Sequence, residues 1–191
     1  MVRRAELLGI AADLFAERGY AATTVRDIAE EAGILSGSLY HHFDSKESMV
    51  DAILSGFVER ELSIHEAVVA EGKGPRETFE SLVRAALREA ADNRSAILIY
   101  RNEVPHLGSR PRFSYLREAE RRFERIWVGV LESGIERGEF RDDIDPEILY
   151  RLVRDALWTV PSWHRFGSLD PERVREQYLA VFLDGIVARR D

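Results

Sequence analysis

Apolar residues recur along this chain at spacings of three and four, the mark of helices with one inward face. No run alternates apolar and polar residues long enough to make a convincing strand. Proline and glycine cut the pattern at Gly19, Gly33, Gly72 to Pro75, Pro105, Gly108, Pro111, Gly138, Pro146 and Gly167 to Pro171. Between those breaks the spacing predicts nine helices, at about 3–18, 25–32, 36–42, 46–70, 76–91, 94–104, 112–137, 146–164 and 171–188. The first three are short and closely set, and the rest are long. The expected fold is all-α: a three-helix head over residues 1–48, and a ligand-binding and dimerisation bundle over 49–191.

The head carries the sharpest local signals. Thr24 can cap the second helix, with Asp27 three residues on to return the bond. Val25, Ile28, Ala29 and Ala32 form its apolar face, Gly33 supplies the left-handed turn, and Ile34 fills the corner. Ser36 can cap a short third helix, Gly37 to His42, whose Leu39 and Phe43 point inward. Helix, glycine turn and short helix make a helix-turn-helix. The outward positions Gly37, Ser38, Tyr40 and His41 are small or planar and hydrogen-bonding, as a helix entering a major groove requires. Lys46 adds a cation at the next helix start. Tyr40 has a blander reading, packing against the head core. His41 and His42 diverge by about 100° on a helix and so make a poor metal pair, one expected outward and one packed.

The later helices suggest a partner and a pocket. Residues Tyr178 to Val187 are apolar on nearly all sides, so that helix needs cover all round. A two-fold dimer would supply it and would set two heads about 34–36 Å or more apart on DNA. In helix 146–164, Leu149, Leu152, Val153, Ala156, Leu157 and Val160 make a packing stripe, and Pro161 is expected to kink its end. Trp158 falls opposite, beside Arg151, Arg154 and Arg165. It is either a surface stack of arginine on indole or the wall of a pocket for a flat, anionic ligand. Tyr100, Phe113, Tyr115 and Trp127 are further candidates for such a lining, though each also suits ordinary core. Arg110, Arg112, Arg117, Arg121, Arg122 and Arg125 cluster locally, with Glu118 placed to pair with Arg122.

Composition narrows the classes. Hydrophobic residues at 45% and charged ones at 32% suit a globular chain, with no apolar run near membrane length and no signal-peptide pattern, so a cytosolic, membrane-free protein is expected. Cysteine is absent, which removes disulfides and thiolate chemistry. No nucleophile–base pair or phosphate loop is visible, and the chain does not read as an enzyme. The net charge of −7 extends into the head, where five basic residues meet eight acidic ones. A DNA reader is usually basic, so the case for DNA rests on motif geometry rather than on charge.

Residues Ala22 to Gly33, then Gly37 to Phe43 and Ser45-Lys46-Glu47, resemble the signature of the TetR family of regulators. The resemblance implies a dimer bound to operator DNA and released by a small molecule, with Thr24, Tyr40, His41 and Lys46 at phosphates or bases. Where many members have Ser then Lys, this chain has Leu35 and Ser36, which shifts the cap and removes a basic contact. Gly33 to Ser38, Arg112 to Tyr115, Tyr150 to Asp155 with Trp158, and Gln177 to Ala180 are further similar to actinobacterial repressors of steroid-ring breakdown. That likeness implies no cofactor and an effector that is the coenzyme A thioester of a ring-containing intermediate, with Arg154 and Trp158 at its site. A regulator of efflux genes that senses another ligand is the same-class alternative.

Overall fold

The computed structural model describes residues 4–161 and 170–187. Among these the chain forms α1 (Arg4–Arg18), α2 (Val25–Glu31), α3 (Ser36–Leu39), α4 (Lys46–Ala70), α5 (Pro75–Asp92), α6 (Arg94–Leu107), α7 (Tyr115–Glu136), α8 (Pro146–Thr159) and α9 (Pro171–Ile186). A single antiparallel bridge, Phe140 to Val187, is the only extended pairing among the described residues. No described helix is long and apolar enough to cross a membrane.

Three expectations need correction. The third helix stops at Leu39 instead of His42, its end closing in a turn through Phe43. The sixth runs through Pro105 to Leu107, because a proline there forfeits one hydrogen bond and the turn around it closes anyway, Gly108 N–H donating to Val104 O at 2.8 Å. A 3₁₀ turn, Pro111–Phe113, precedes α7, which begins three residues later than the pattern suggested. The α8 helix runs to Thr159 and tightens into a 3₁₀ turn at Val160 and Pro161; the continuation expected past Pro161, over 162–164, and Arg165 lie outside the described residues.

Contacts divide the chain into two compact units, residues 1–59 with 93–117, and 60–92 with 118–191. In the first, Leu7, Ala11 and Phe15 of α1, Ile28 and Ala29 of α2, and Leu39 and Phe43 near α3 are all buried. The helix-turn-helix is thus held by the same apolar spacing that its sequence displays. Polar bonds tie α6 to this core: Ser95 donates to Asp13 at 2.7 Å, and Tyr20 N–H donates to Glu103 at 3.1 Å.

In the second unit, α5 packs with α8 and α9. Phe79 sits edge-on to Trp127 and to Phe140 at 5.8 and 6.2 Å between centroids. The Tyr178 hydroxyl donates to the Val153 carbonyl at 2.5 Å, which closes α9 onto α8. Leu149, Val153 and Leu157, spaced by four, take the inward line of α8. Leu152, expected in that stripe, is exposed at 59%, because it falls on the neighbouring line with Ile148 and Ala156.

Candidate nucleic-acid interface and effector site

The α2 N-terminus forms as its residue types dictate. Thr24 is extended and its hydroxyl accepts from Asp27 N–H at 3.1 Å, while the Asp27 carboxylate accepts from both Thr24 N–H and Thr24 hydroxyl at 2.7 Å. Those bonds, the hydroxyl one foremost, hold the Asp27 carboxyl below its ordinary range. Gly33 follows with a φ of 65°, the left-handed conformation that turns the chain toward α3. Leu35, not Ser36, stands at the α3 N-cap, with no side-chain bond to the helix; Ser38 N–H bonds Leu35 O at 2.8 Å. Ser36 occupies the first helical position, one residue inside the cap expected of it.

The outer edge of α3 faces solvent. Gly37, Ser38, His41 and Thr24 are exposed, Ser36 is half-buried, and Tyr40 is 55% exposed, its ring not part of the head core. His41 and His42 are both exposed, which corrects the split expected of them, since the helix ends before it can bury the second. Exposed Leu35 adds an apolar contact surface beside this edge.

Lys46 is placed otherwise than a free surface cation. Its ammonium donates to Tyr20 O at 2.6 Å and to Thr23 O at 2.8 Å, and lies 4.3 Å from the centre of the Tyr20 ring. It thereby clamps the α1–α2 turn, and with it the start of α2. Arg110 bonds Glu47 at 2.7 Å from the other side of the same network, and Tyr20 is drawn into it. Glu103 did not stand out in sequence, and Arg110 did so only as one of a local arginine cluster, because their partners lie 83 and 63 residues away.

Tyr100 and Phe113 lie in the first unit, both buried, Tyr100 edge-on to Phe57 at 6.0 Å. Trp127, Arg154 and Trp158 lie in the second. Arg154 is half-buried, bonds Glu120 at 3.1 Å and Asp155 at 3.0 Å, and stands 5.6 Å from the Tyr150 ring centre. Trp158 is half-buried nearby on α8. The arginine cluster is largely ion-paired: Glu118 serves Arg121 and Arg125, whereas Arg122 reaches Glu66 instead of the Glu118 partner expected. A partner four residues along offers no more than a neighbour across helices, and here the latter is taken.

Along α8 and α9 runs an apolar groove of about 480 Å³ lined by Ala156, Val174, Tyr178, Val181 and Phe182, with Arg173 on its edge. Exposed Ile148 and Leu152 continue the Ala156 line, and Val181 is 68% exposed. Two residues absent from the sequence expectations also stand out in the second unit. Glu61 and His65 of α4 are buried at 7% and 3% exposure, in a core that is otherwise apolar and aromatic apart from Thr78. Their signal in sequence was faint: a polar pair four apart on a line that continues to Val69.

Comparison with known proteins places this geometry. The family description "Bacterial regulatory proteins, tetR family" matches residues 7–53, and "Tetracyclin repressor-like, C-terminal domain" matches 72–186. The HTH-type transcriptional repressor KstR2 of Rhodococcus jostii is 51% identical over 97% of this chain and 92% of its own length. KstR2 of Mycobacterium tuberculosis is 46% identical over 96% and 92%. The solved structure of that ketosteroid transcriptional regulator superposes with a TM-score of 0.94 at 45% identity, covering 98% of this chain and 96% of the other.

Proposed function

The chain belongs to the TetR family of bacterial regulatory proteins, and on that premise we propose that it is a homodimeric repressor of steroid-catabolic genes, lifted from its operator by a coenzyme A thioester of a ring-containing breakdown intermediate. The observation that carries this reading is identity of 51% with a KstR2 repressor, sustained across both the head and the bundle. The exposed α3 edge supports it locally: Ser38, Tyr40 and His41 offer hydroxyl, ring and imidazole to the groove, and Thr24 offers the α2 terminus to a phosphate. Gly37 lets the backbone approach closely. Because the head is acidic, few phosphate contacts replace the usual basic patch, and shape and hydrogen bonds carry more of the affinity.

The dimer reading rests on the α8–α9 face. Ile148, Leu152 and Val181 are large apolar side chains left in water, bordering a groove with apolar walls. A second copy meeting them across a two-fold axis would cover them and would present two heads to one face of duplex DNA. Val181→Glu is expected to bring the mass in sedimentation down toward one chain, 21.8 kDa, and to lower operator affinity with it. A variant that stays dimeric would place the interface elsewhere.

Effector release requires only that the thioester bind one arrangement of the protein better; a hundredfold preference corresponds to about 2.7 kcal/mol. Arg154 and Trp158, half-buried together on α8, are the residues proposed to meet its anionic and ring portions. The test is a gel-shift titration of the chain on its own upstream DNA, with and without steroid-derived acyl-CoA. Tyr40→Ala is expected to weaken operator binding about tenfold. Full retention of affinity by that variant, or no response to any acyl-CoA, would count against the reading.

A further inference from the structure

Leu35 is 80% exposed, and it and Tyr40 are the large apolar side chains left in water among the described residues of the head. Leu39, four positions on, is 1% exposed and anchors α3. In an unbroken helix residues four apart share a face, so both leucines would go inside. The backbone at Leu35 is instead extended, with φ −72° and ψ 141°, which takes its side chain off the Leu39 line. Bonds on both sides fix it there. Gly33 N–H donates to Glu30 O at 3.0 Å and Ile34 N–H to Ala29 O at 2.9 Å, while Ser38 N–H donates to Leu35 O at 2.8 Å. The leucine is held out from a bonded turn, not from a loose loop.

The DNA-free fold has no use for a leucine at this position. It stands at the N-cap of α3, where Ser, Thr, Asp or Asn would bond a helix N–H, and it makes no such bond. Its apolar surface, left in water, contributes no burial to the head. Both costs are offset only when the side chain meets an apolar group in a complex.

The neighbours set what that group is. Leu35 leads directly into Ser36, Gly37 and Ser38, and the last two are exposed on the edge proposed above to enter the major groove. Base edges there present hydrogen-bond donors and acceptors, with one apolar group among them, the 5-methyl of thymine. An aliphatic side chain has nothing to offer the polar atoms and a full contact to offer the methyl. The acidic head gives such a contact more weight, because fewer phosphates are held by charge.

We propose that Leu35 is a specificity-determining residue of operator recognition, reading one thymine in each half-site through its methyl group. The inference rests on the reading above that α3 enters operator DNA as part of a two-fold dimer. Leu35 supplies the apolar part of the readout, and Ser38, Tyr40 and His41 supply the hydrogen-bonding part.

Uracil isolates the contact, since deoxyuridine in place of thymidine removes the methyl and leaves pairing and every hydrogen-bonding atom as they were. The probe is the chain's own upstream DNA, cut to the segment it protects, with each thymine replaced in turn. Binding of the intact chain is followed by fluorescence anisotropy. One position in each half-site is expected to lose about three- to fivefold in affinity, the worth of burying one methyl. In Leu35→Ala that position should discriminate by less than about 1.5-fold, while uracil penalties at other positions stay as in the wild type. Leu35→Ser, which supplies the missing cap, should keep the Tm at or above the wild-type value and still lose the thymine preference, a result that a folding defect would not give. A flat scan of the wild type, or uracil penalties that persist at every position in Leu35→Ala, would overturn the assignment. Tight binding with a flat scan would leave the repressor reading standing. Failure to bind any duplex at low salt would remove that reading and this one together.

Discussion

Replacing Lys46 with methionine, which keeps the length of the stem and removes the charge, is expected to lower the stability of the DNA-free protein by about 2–3 kcal/mol. The ammonium makes short bonds to the carbonyls of Tyr20 and Thr23 and lies over the Tyr20 ring, so its loss leaves two carbonyls and an aromatic face without their partner. For a chain of 191 residues that corresponds to a fall in Tm of roughly 5–10 °C. Operator affinity should fall too, because the turn that Lys46 clamps sets the start of α2. The size of the thermal effect separates this role from the one that family resemblance implies. A lysine used only at a phosphate would leave the Tm unchanged and would reduce the slope of log affinity against log salt by about one. Thermal unfolding of Lys46→Met without DNA decides between them, and an unchanged Tm would refute the clamp.

Glu61→Gln is expected to become more stable than the wild type as pH rises. The folded-state pKa of about 8 stands above the ordinary carboxyl value of 4.5, so the folded protein keeps a proton that the unfolded chain gives up. Stability from this group is therefore full below pH 4.5 and is lost as pH rises to about 8. At neutral pH the loss amounts to about 3–3.5 kcal/mol, which glutamine, with no proton to lose, escapes. Urea unfolding of wild type and Glu61→Gln across this range should give a difference that grows with pH and levels off near 8. His65 acts in the opposite sense: its pKa is lowered by burial, so its contribution is lost as pH falls, and it cancels in the difference between the two proteins. A difference that stays flat with pH would show that Glu61 is not held protonated in the core.

Much of the architecture was legible before any coordinates. Thr24 and Asp27 announced their reciprocal cap, Gly33 its left-handed turn, and Ile28 and Ala29 the inward face of α2. Such signals are local: a cap, a turn and a helix face are decided by residues within four positions of one another. The TetR signature was readable for the same reason, since its spacing lies within one continuous stretch. Ends were less legible. Pro105 was read as a stop, yet one missing hydrogen bond was outweighed by the turn that closed around it.

What periodicity alone could state was that this chain makes long amphipathic helices, a glycine-turned short one near Ser36, and an apolar final helix, because those properties reside in neighbouring residues. Which side chains meet was decided only by the tertiary structure: Lys46 on carbonyls 26 and 23 residues away, Glu61 held against Glu89, and Leu152 left in water while Val153 goes inside. The physical reason is that burial and pairing depend on what the folded chain sets opposite a residue. A lysine reads the same in sequence whether it faces solvent or closes a turn, and a glutamate whether it is ionised or protonated.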